Sequence, residues 1–501
     1  MKLKEMTMLL SASIIGGTAY AQDTYDAARF AGSDLNGTAR YVGMGGALGA
    51  LGGDISVMGN NPAGTAMFRR SDIALTLSGV FTDEGALGHD KARMSIDNAG
   101  VIIATNQHNR SSSGLQYVNF GVNIAKRNNF LGNHNIGVEH LNGVFSQTYQ
   151  IADMANNAYD TGNWGMLADM SAPEYDKDGK LVHDGIIGEL FDEAGNLTGY
   201  TGIGANEANF KRATYGSNLQ TDINLSLNFS ERYFVGISLG LYSIDYNRES
   251  YYEEMGSDGH YYDLSNWYAT NGDGFDVKLG FICRPFEYSP FRIGFHVHTP
   301  TWYKMDDTNG SMLYMDDEFV SQKASEPYDY SYRTPWKLGL SLGHTVGKQF
   351  AIGAEYEYMD YSTCKYYTND WSEDSYFRNI NSFTKNMMKA QHTLKLGVEY
   401  KPIDEFSVRF GYNYVSSPYK NDAFRTIAYD SPFTETDFTN WKDIQRITIG
   451  MGYRYKGGYI DLAYQYSTQK GDFYAFDDID LKPTEINNDR SQLMCTFGFK
   501  F

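Results

Sequence analysis

The chain has 501 residues and a net charge of −19, with 42 Lys and Arg against 61 Asp and Glu. That balance speaks against a nucleic-acid partner, because phosphate binding needs clustered basic side chains. Tyr (40), Phe (29) and Gly (52) are abundant, and the mean hydropathy of −0.46 argues against a bundle of apolar membrane helices; strands with aromatic girdles and tight turns suit this composition.

Residues 1–21 read as a cleavable export signal. Lys2 and Lys4 form its charged start, Met6 to Gly17 its short apolar stretch, and Ala19-Tyr20-Ala21 a small-x-small site with cleavage expected before Gln22. The apolar stretch is too short to span a bilayer, and no later run reaches the roughly 18 apolar residues of a membrane helix. Residues 22–71 do not alternate and are rich in glycine, most densely from Ala39 to Gly64. Small residues permit close backbone approach, as a segment packed inside a narrow lumen requires. Asn61-Pro62 favours a turn. A dinucleotide-binding loop is excluded, since no strand precedes these glycines and no βαβ unit or acidic partner follows.

From Asp72 onward fourteen segments have strand character: 72–81, 98–106, 115–126, 216–228, 233–247, 274–284, 291–303, 332–346, 350–362, 391–401, 406–416, 443–455, 458–468 and 490–501. Most reach the roughly 9–11 residues of a tilted transmembrane strand. Alternation is clearest late in the chain, where Phe406, Val408, Phe410, Tyr412 and Tyr414 oppose Ser407, Arg409, Gly411 and Asn413. The last strand shows Leu493, Cys495, Phe497, Phe499 and Phe501 on one face and ends on that aromatic. A barrel can show such a row to lipid, whereas a soluble protein must bury it.

Connections alternate between short (230–232, 347–349, 402–405, 456–457) and long (127–215, 248–273, 304–331, 363–390, 417–442, 469–489). This is the asymmetry of periplasmic turns against extracellular loops. The expected fold is therefore all-β: a transmembrane antiparallel β-barrel of about 14 strands over 72–501, with an N-terminal hatch, 22–71, plugging the lumen. Within the large extracellular loop at 127–215, short helices are expected near Ile151–Ala158 and Asp184–Ala194. Loop 248–273, rich in Tyr and acid, reads as solvated surface or as a ligand-landing surface.

Gly43-x-Gly45-x-Ala47, Asp54-x-Ser56 and Asn61-Pro62-Ala63-Gly64, leading straight into the first strand, resemble the N-terminal signature of the FadL/TodX family of outer-membrane transporters for hydrophobic compounds. The segments 396–402, 409–414 and 338–340 running into 352–356 are similar to that family's strand–turn–strand repeats. The resemblance implies a location in the outer membrane of a Gram-negative-type bacterium. It also implies uptake of hydrophobic small molecules such as long-chain fatty acids, with ligand held in the lumen, hatch rearrangement, and exit sideways near the third strand. Gly121 on that strand is the candidate for such an opening. An alternative within the same resemblance is a barrel that docks the exported proteins of a secretion system.

Alternation places Lys278, Arg292, Lys337, Lys395, Arg409, Arg446 and Arg454 inside the barrel, with Asp222, Asp276, Glu355, Glu357 and Glu399 opposite them. Most should pair across strands. Arg292, His296, His298, Lys395 and Arg409 are the candidate ligand contacts: Arg292, His296 and His298 share one inward face that could hold an acyl carboxylate or a hemin, or simply pair within the lumen. His344 is expected to point outward. Cys283, Cys364 and Cys495 are too far apart for a disulfide framework or metal cluster, and no metal or other cofactor is implied. No nucleophile elbow or HExxH is present, so no enzymatic activity is expected. Expected partners are thus a hydrophobic ligand (fatty acid, hydrocarbon or hemin), outer-membrane lipid and, in the alternative, secretion-system proteins.

Overall fold

A computed structural model describes residues 13–14, 24–107, 114–421, 423, 429, 431, 434–435, 437–478 and 480–501. The expected leader, 1–21, therefore lies outside the described residues except for 13–14. Period-2 alternation gives each later segment one apolar and one polar face, and closing the sheet satisfies both, with lipid outside and a packed polar lumen inside. Among the described residues fourteen antiparallel strands do this. They are β1 (Asp72–Thr82), β2 (Ala92–Asn106), β3 (Leu115–Asn129), β4 (Ala205–Phe229), β5 (Tyr233–Gly256), β6 (Tyr261–Cys283) and β7 (Arg292–His298 continuing as Trp302–Met315). Then follow β8 (Tyr328–Arg333 continuing as Lys337–Val346), β9 (Phe350–Asp360), β10 (Ala390–Tyr400), β11 (Phe406–Val415), β12 (Phe438–Tyr455), β13 (Gly458–Tyr474) and β14 (Arg490–Lys500). The barrel closes where β1 pairs with β14 from Asp72↔Lys500 to Thr82↔Arg490. Phe501 N–H donates to Ser71 O at 3.0 Å, so the two ends of the barrel meet.

The outward faces form an apolar belt. Ile73, Leu75 and Leu77 on β1, Val235, Ile237, Leu239 and Leu241 on β5, and Leu493, Phe497 and Phe499 on β14 are all exposed. Their inward neighbours Thr76, Ser78, Ser238 and Thr496 are buried. Among the described residues no helix is long and apolar enough to cross a membrane. β2 carries a register shift at Asp97, between Thr76↔Asn98 and Leu77↔Ile96. The buried Asp97 carboxylate accepts from Ser78 Oγ at 2.6 Å. This bulge interrupts the alternation and hides the first residues of β2 from a periodicity reading, which starts the strand at 98.

The barrel strands reach into two of the expected loops. β5 and β6 run on past the belt to a four-residue turn at 257–260, so 248–273 is a hairpin. Gly132–Gly137 pairs with β4, which begins at Ala205, leaving 138–204 as the loop proper. Above the belt the outward positions become Asp245, Asn271 and Asp273, while the inward ones bring in buried tyrosines, Tyr246, Tyr252, Tyr262 and Tyr268, beside the buried Arg248, Glu254 and Asn266. Strand geometry therefore continues after the hydropathy signal stops.

Two short helices, α1 (Thr24–Ala31) and α2 (Ala39–Gly43), precede β1. In the large loop, α3 (Gln147–Thr161) covers the expected helix at 151–158, and α4 (Met166–Ser171) follows it. The helix expected at 184–194 is absent: Gly188–Phe191 pairs instead with Leu197–Thr201. The Asp192 carboxylate accepts from the N–H groups of Ala194 and Asn196 at 2.9 and 2.8 Å, a local turn that competes with helix. Asp176 makes the same turn with Asp178 and Lys180 in the preceding hairpin, Glu174–Tyr175 on Leu181–His183.

Candidate functional site

The segment before β1 lies inside the barrel. Helix α1 stands near the outer mouth and α2 lower down, and two 3₁₀ turns, Ile55–Gly59 and Pro62–Met67, pack on the inner wall. Each lower turn starts on a side-chain cap. Thr38 Oγ1 accepts from Tyr41 N–H at 3.1 Å, Asp54 Oδ1 from Ser56 N–H at 3.0 Å, and Asn61 Oδ1 from Ala63 N–H at 3.2 Å. Asp54 also accepts from Thr38 Oγ1 at 2.8 Å, and Ser56 Oγ from Thr38 N–H at 2.7 Å. Asp54 and Ser56 thus fasten the two halves of the hatch together.

Glycines on both sides make the fit. Gly45 has φ +61, and a Cβ there would lie 2.8 Å from Leu396 O and 2.9 Å from the Tyr412 backbone. A Cβ at Gly43 would sit 3.2 Å from Gly450 Cα, and one at Gly64 2.9 Å from Val57. From the wall, a side chain at Gly353 would strike Ala47 O, at Gly411 Gly45 N, at Gly236 Pro62 O, and at Gly280 Asn61 Oδ1. Asn61, Pro62, Ala63 and Gly64 are all buried against β4, β5 and β6.

Three of the seven inward cations, Lys278, Lys395 and Arg409, pair with carboxylates on other strands. Lys278 Nζ lies 2.8 Å from both Asp222 and Asp276. Arg409 lies 2.7 Å from Glu399 and 2.6 Å from Asp461, and Lys395 Nζ 2.8 Å from Glu355 and 2.9 Å from Glu357. Several of these groups also grip the hatch. Glu355 accepts from Gly49 N–H at 3.0 Å and from Asn60 Nδ2 at 2.8 Å. Glu399 accepts from Arg40 Nε at 3.1 Å. Arg292 donates to Leu51 O at 2.7 Å, and His298 Nε2 to Asn60 O at 2.6 Å. Arg292, His296 and His298 therefore lie on one inward face, with Arg292 and His298 committed to hatch carbonyls and His296 fully buried over Gly339. His344 is half-buried, its ring 6.3 Å from that of Phe291.

Gly121 faces the hatch, where a Cβ would strike the end of Met58. It pairs with Ile102 on one side and Asn224 on the other, so the wall is continuous there. The irregularities of β3 against β4 fall elsewhere, opposite Asn218/Leu219 and Asn228/Phe229.

Two cavities adjoin the hatch, lined in part by its own residues. The lower, about 130 Å³, is lined by Lys126, Arg127, Lys278, Lys337, Lys395 and Arg446 against Asp34, Asp222, Asp276 and Glu357. The upper, about 230 Å³, lies beside α1 among Tyr25, Tyr361, Tyr419 and Trp441, with Arg29 and Arg212. They share Ser33, Asp34, Gln391, Val415 and Arg446, and so adjoin along the lumen. Sequence reading misses Arg127 and the tyrosine cage around α1. Arg127 sits where β3 slips its register, holding Ala31 O and Gly32 O at 2.9 and 3.2 Å. Tyr332 donates to Ala27 O at 2.7 Å. The signal for the cage is present in the sequence, since Tyr242, Tyr246, Tyr330 and Tyr332 fall on inward positions beyond the belt.

No protein-family model and no curated protein matches the sequence. Among solved structures, the chain is similar to the toluene transporter TodX of Pseudomonas putida, at 13% identity and a TM-score of 0.50, over 93% of this chain and 99% of that one. It has the fold of the FadL/TodX channels. A Pseudomonas aeruginosa FadL homologue (13% identity, 94% and 98% covered) and the Ralstonia pickettii toluene transporter TbuX (13%, 93% and 99%) are also similar, each at a TM-score of 0.49. At 13% identity the likeness to TodX shows the fold alone.

Proposed function

We propose that the chain is an outer-membrane passage for an amphiphilic small molecule with an anionic head, a long-chain fatty acid being the fitting example. The observation that carries this reading is the pair of adjoining cavities, aromatic near the mouth and rich in cations lower down. An anionic head adds counter-charge to a lining of six cations and four carboxylates, which a purely apolar solute does not. Each buried CH₂ of the tail adds about 0.8 kcal/mol, so release requires a change in the hatch rather than simple leakage. The apolar belt and the short turns at one end support a place in the outer membrane. TodX is a toluene transporter; in this chain the charged lumen favours an acid over a neutral hydrocarbon.

The hatch motif Gly43, Gly45, Asp54, Ser56, Asn61, Pro62, Ala63 and Gly64 sets the seat, and Lys395 and Arg409 secure it through Glu355 and Glu399. A sideways exit at Gly121 would require Met58 to withdraw from the wall. Gly121→Val should then slow uptake in cells while the barrel stays folded, and unchanged uptake would remove that route. The reading as a whole is tested by extracting the purified barrel and identifying retained molecules by mass spectrometry. An acyl or aryl acid is expected. Only neutral hydrocarbons, a porphyrin, or a co-purifying exported protein would contradict it.

A further inference from the structure

At the floor of the lower cavity, β7 and β9 bring three buried side chains together. His296, Glu355 and Glu357 are 0, 2 and 6% exposed, and a ligand atom from each lies within 4.8 Å of the other two. We propose that these three residues form a site for a divalent transition-metal ion such as Zn²⁺, with the Lys395 ammonium supplying the neutralising charge that the ion would take over. His296 carries the argument. Neither of its ring nitrogens makes a hydrogen bond with any described residue, and Nε2 stands 3.4 Å from Glu357 Oε1 without one. An ammonium can neutralise the two carboxylates, as Lys395 does at 2.8 and 2.9 Å, yet it offers nothing to an imidazole acceptor that it does not touch. A metal ion satisfies all three groups at once.

One imidazole with two carboxylates is a borderline donor set, matched to Zn²⁺ and its neighbours in the transition series rather than to Ca²⁺ or Mg²⁺, which take oxygen alone. The outer shell is already built. Glu355 is oriented by Gly49 N–H at 3.0 Å and Asn60 Nδ2 at 2.8 Å, so the hatch itself would orient a ligand. Access is given by the lower cavity, whose lining includes both Glu357 and Lys395.

The test uses the full-length barrel in detergent, stripped with a chelator and then titrated with Zn²⁺ by calorimetry and with Co²⁺ by visible absorption. Surface pairs such as His89–Glu249, His183–Glu174 and His260–Asp316 give the same background in every variant. The expected result is one more equivalent bound by the wild type than by His296→Gln, and d–d bands of Co²⁺ that disappear in that variant. Heat-modifiable migration confirms that the variant folds; should His296→Gln fail this check, Glu357→Gln takes its place. Equal stoichiometry in wild type and folded variant, or no Co²⁺ bands in the wild type, overturns the site.

Discussion

Gly353 and Gly411 leave no room for a side chain because Ala47 and Gly45 of the hatch occupy the space where a Cβ would be. Gly353→Val should therefore unseat the hatch at a cost of about 1–3 kcal/mol, the usual range for overpacking, while the β-ladder survives. Faster hydrogen exchange across residues 44–51 with unaltered heat-modifiable migration is the expected outcome. Arg409 poses the opposite case. It is 1% exposed and bonds Glu399 and Asp461 at 2.7 and 2.6 Å, so Arg409→Ala strands the buried Asp461 carboxylate while Glu399 keeps Arg40. A loss of about 3–5 kcal/mol is expected in urea unfolding, and a variant that also carries Asp461→Asn should recover most of it. These inward residues are legible from alternation. Their partners are not, because pairing depends on register and on hatch atoms such as Leu51 O and Asn60 O, to which period 2 gives no clue.

Among the elements, the β5–β6 hairpin shows best where a sequence reading stops. Its belt is legible from Tyr233 to Leu241, but its upper half has a polar outer face and reads as loop. That upper half anchors the cap. Glu254 on β5 accepts from Ser146 Oγ, from Gln147 N–H at 3.0 Å and from Tyr252 Oη, pinning the start of α3. Burial pushes its carboxyl up to about 6, although the hydrogen bonds from Ser146, Tyr252 and Gln147 oppose the shift. The folded cap thus holds a proton that the unfolded chain releases near pH 4.5. This contribution is fully present below that value and is lost as pH rises through 6, to the extent of about 2 kcal/mol. Hydrogen exchange of α3 should be slower at about pH 5 than at about pH 7 after correction for intrinsic rates. Glu254→Gln should abolish the difference.

At the scale of the whole molecule, strand number, alternation of connections and the internal place of residues 24–67 are all legible, because a lipid belt and a narrow lumen constrain every strand in the same way. The cap above the belt is not, since its hairpins and helices answer to local turns such as those at Asp176 and Asp192. The central claim is that the glycine-rich segment corks a closed cylinder. Planar-bilayer conductance of the full chain, set beside a refolded chain lacking residues 24–67, tests it most directly. The full chain should pass little steady current and the shortened one should open a stable pore; equal conductance from the two would contradict the cork.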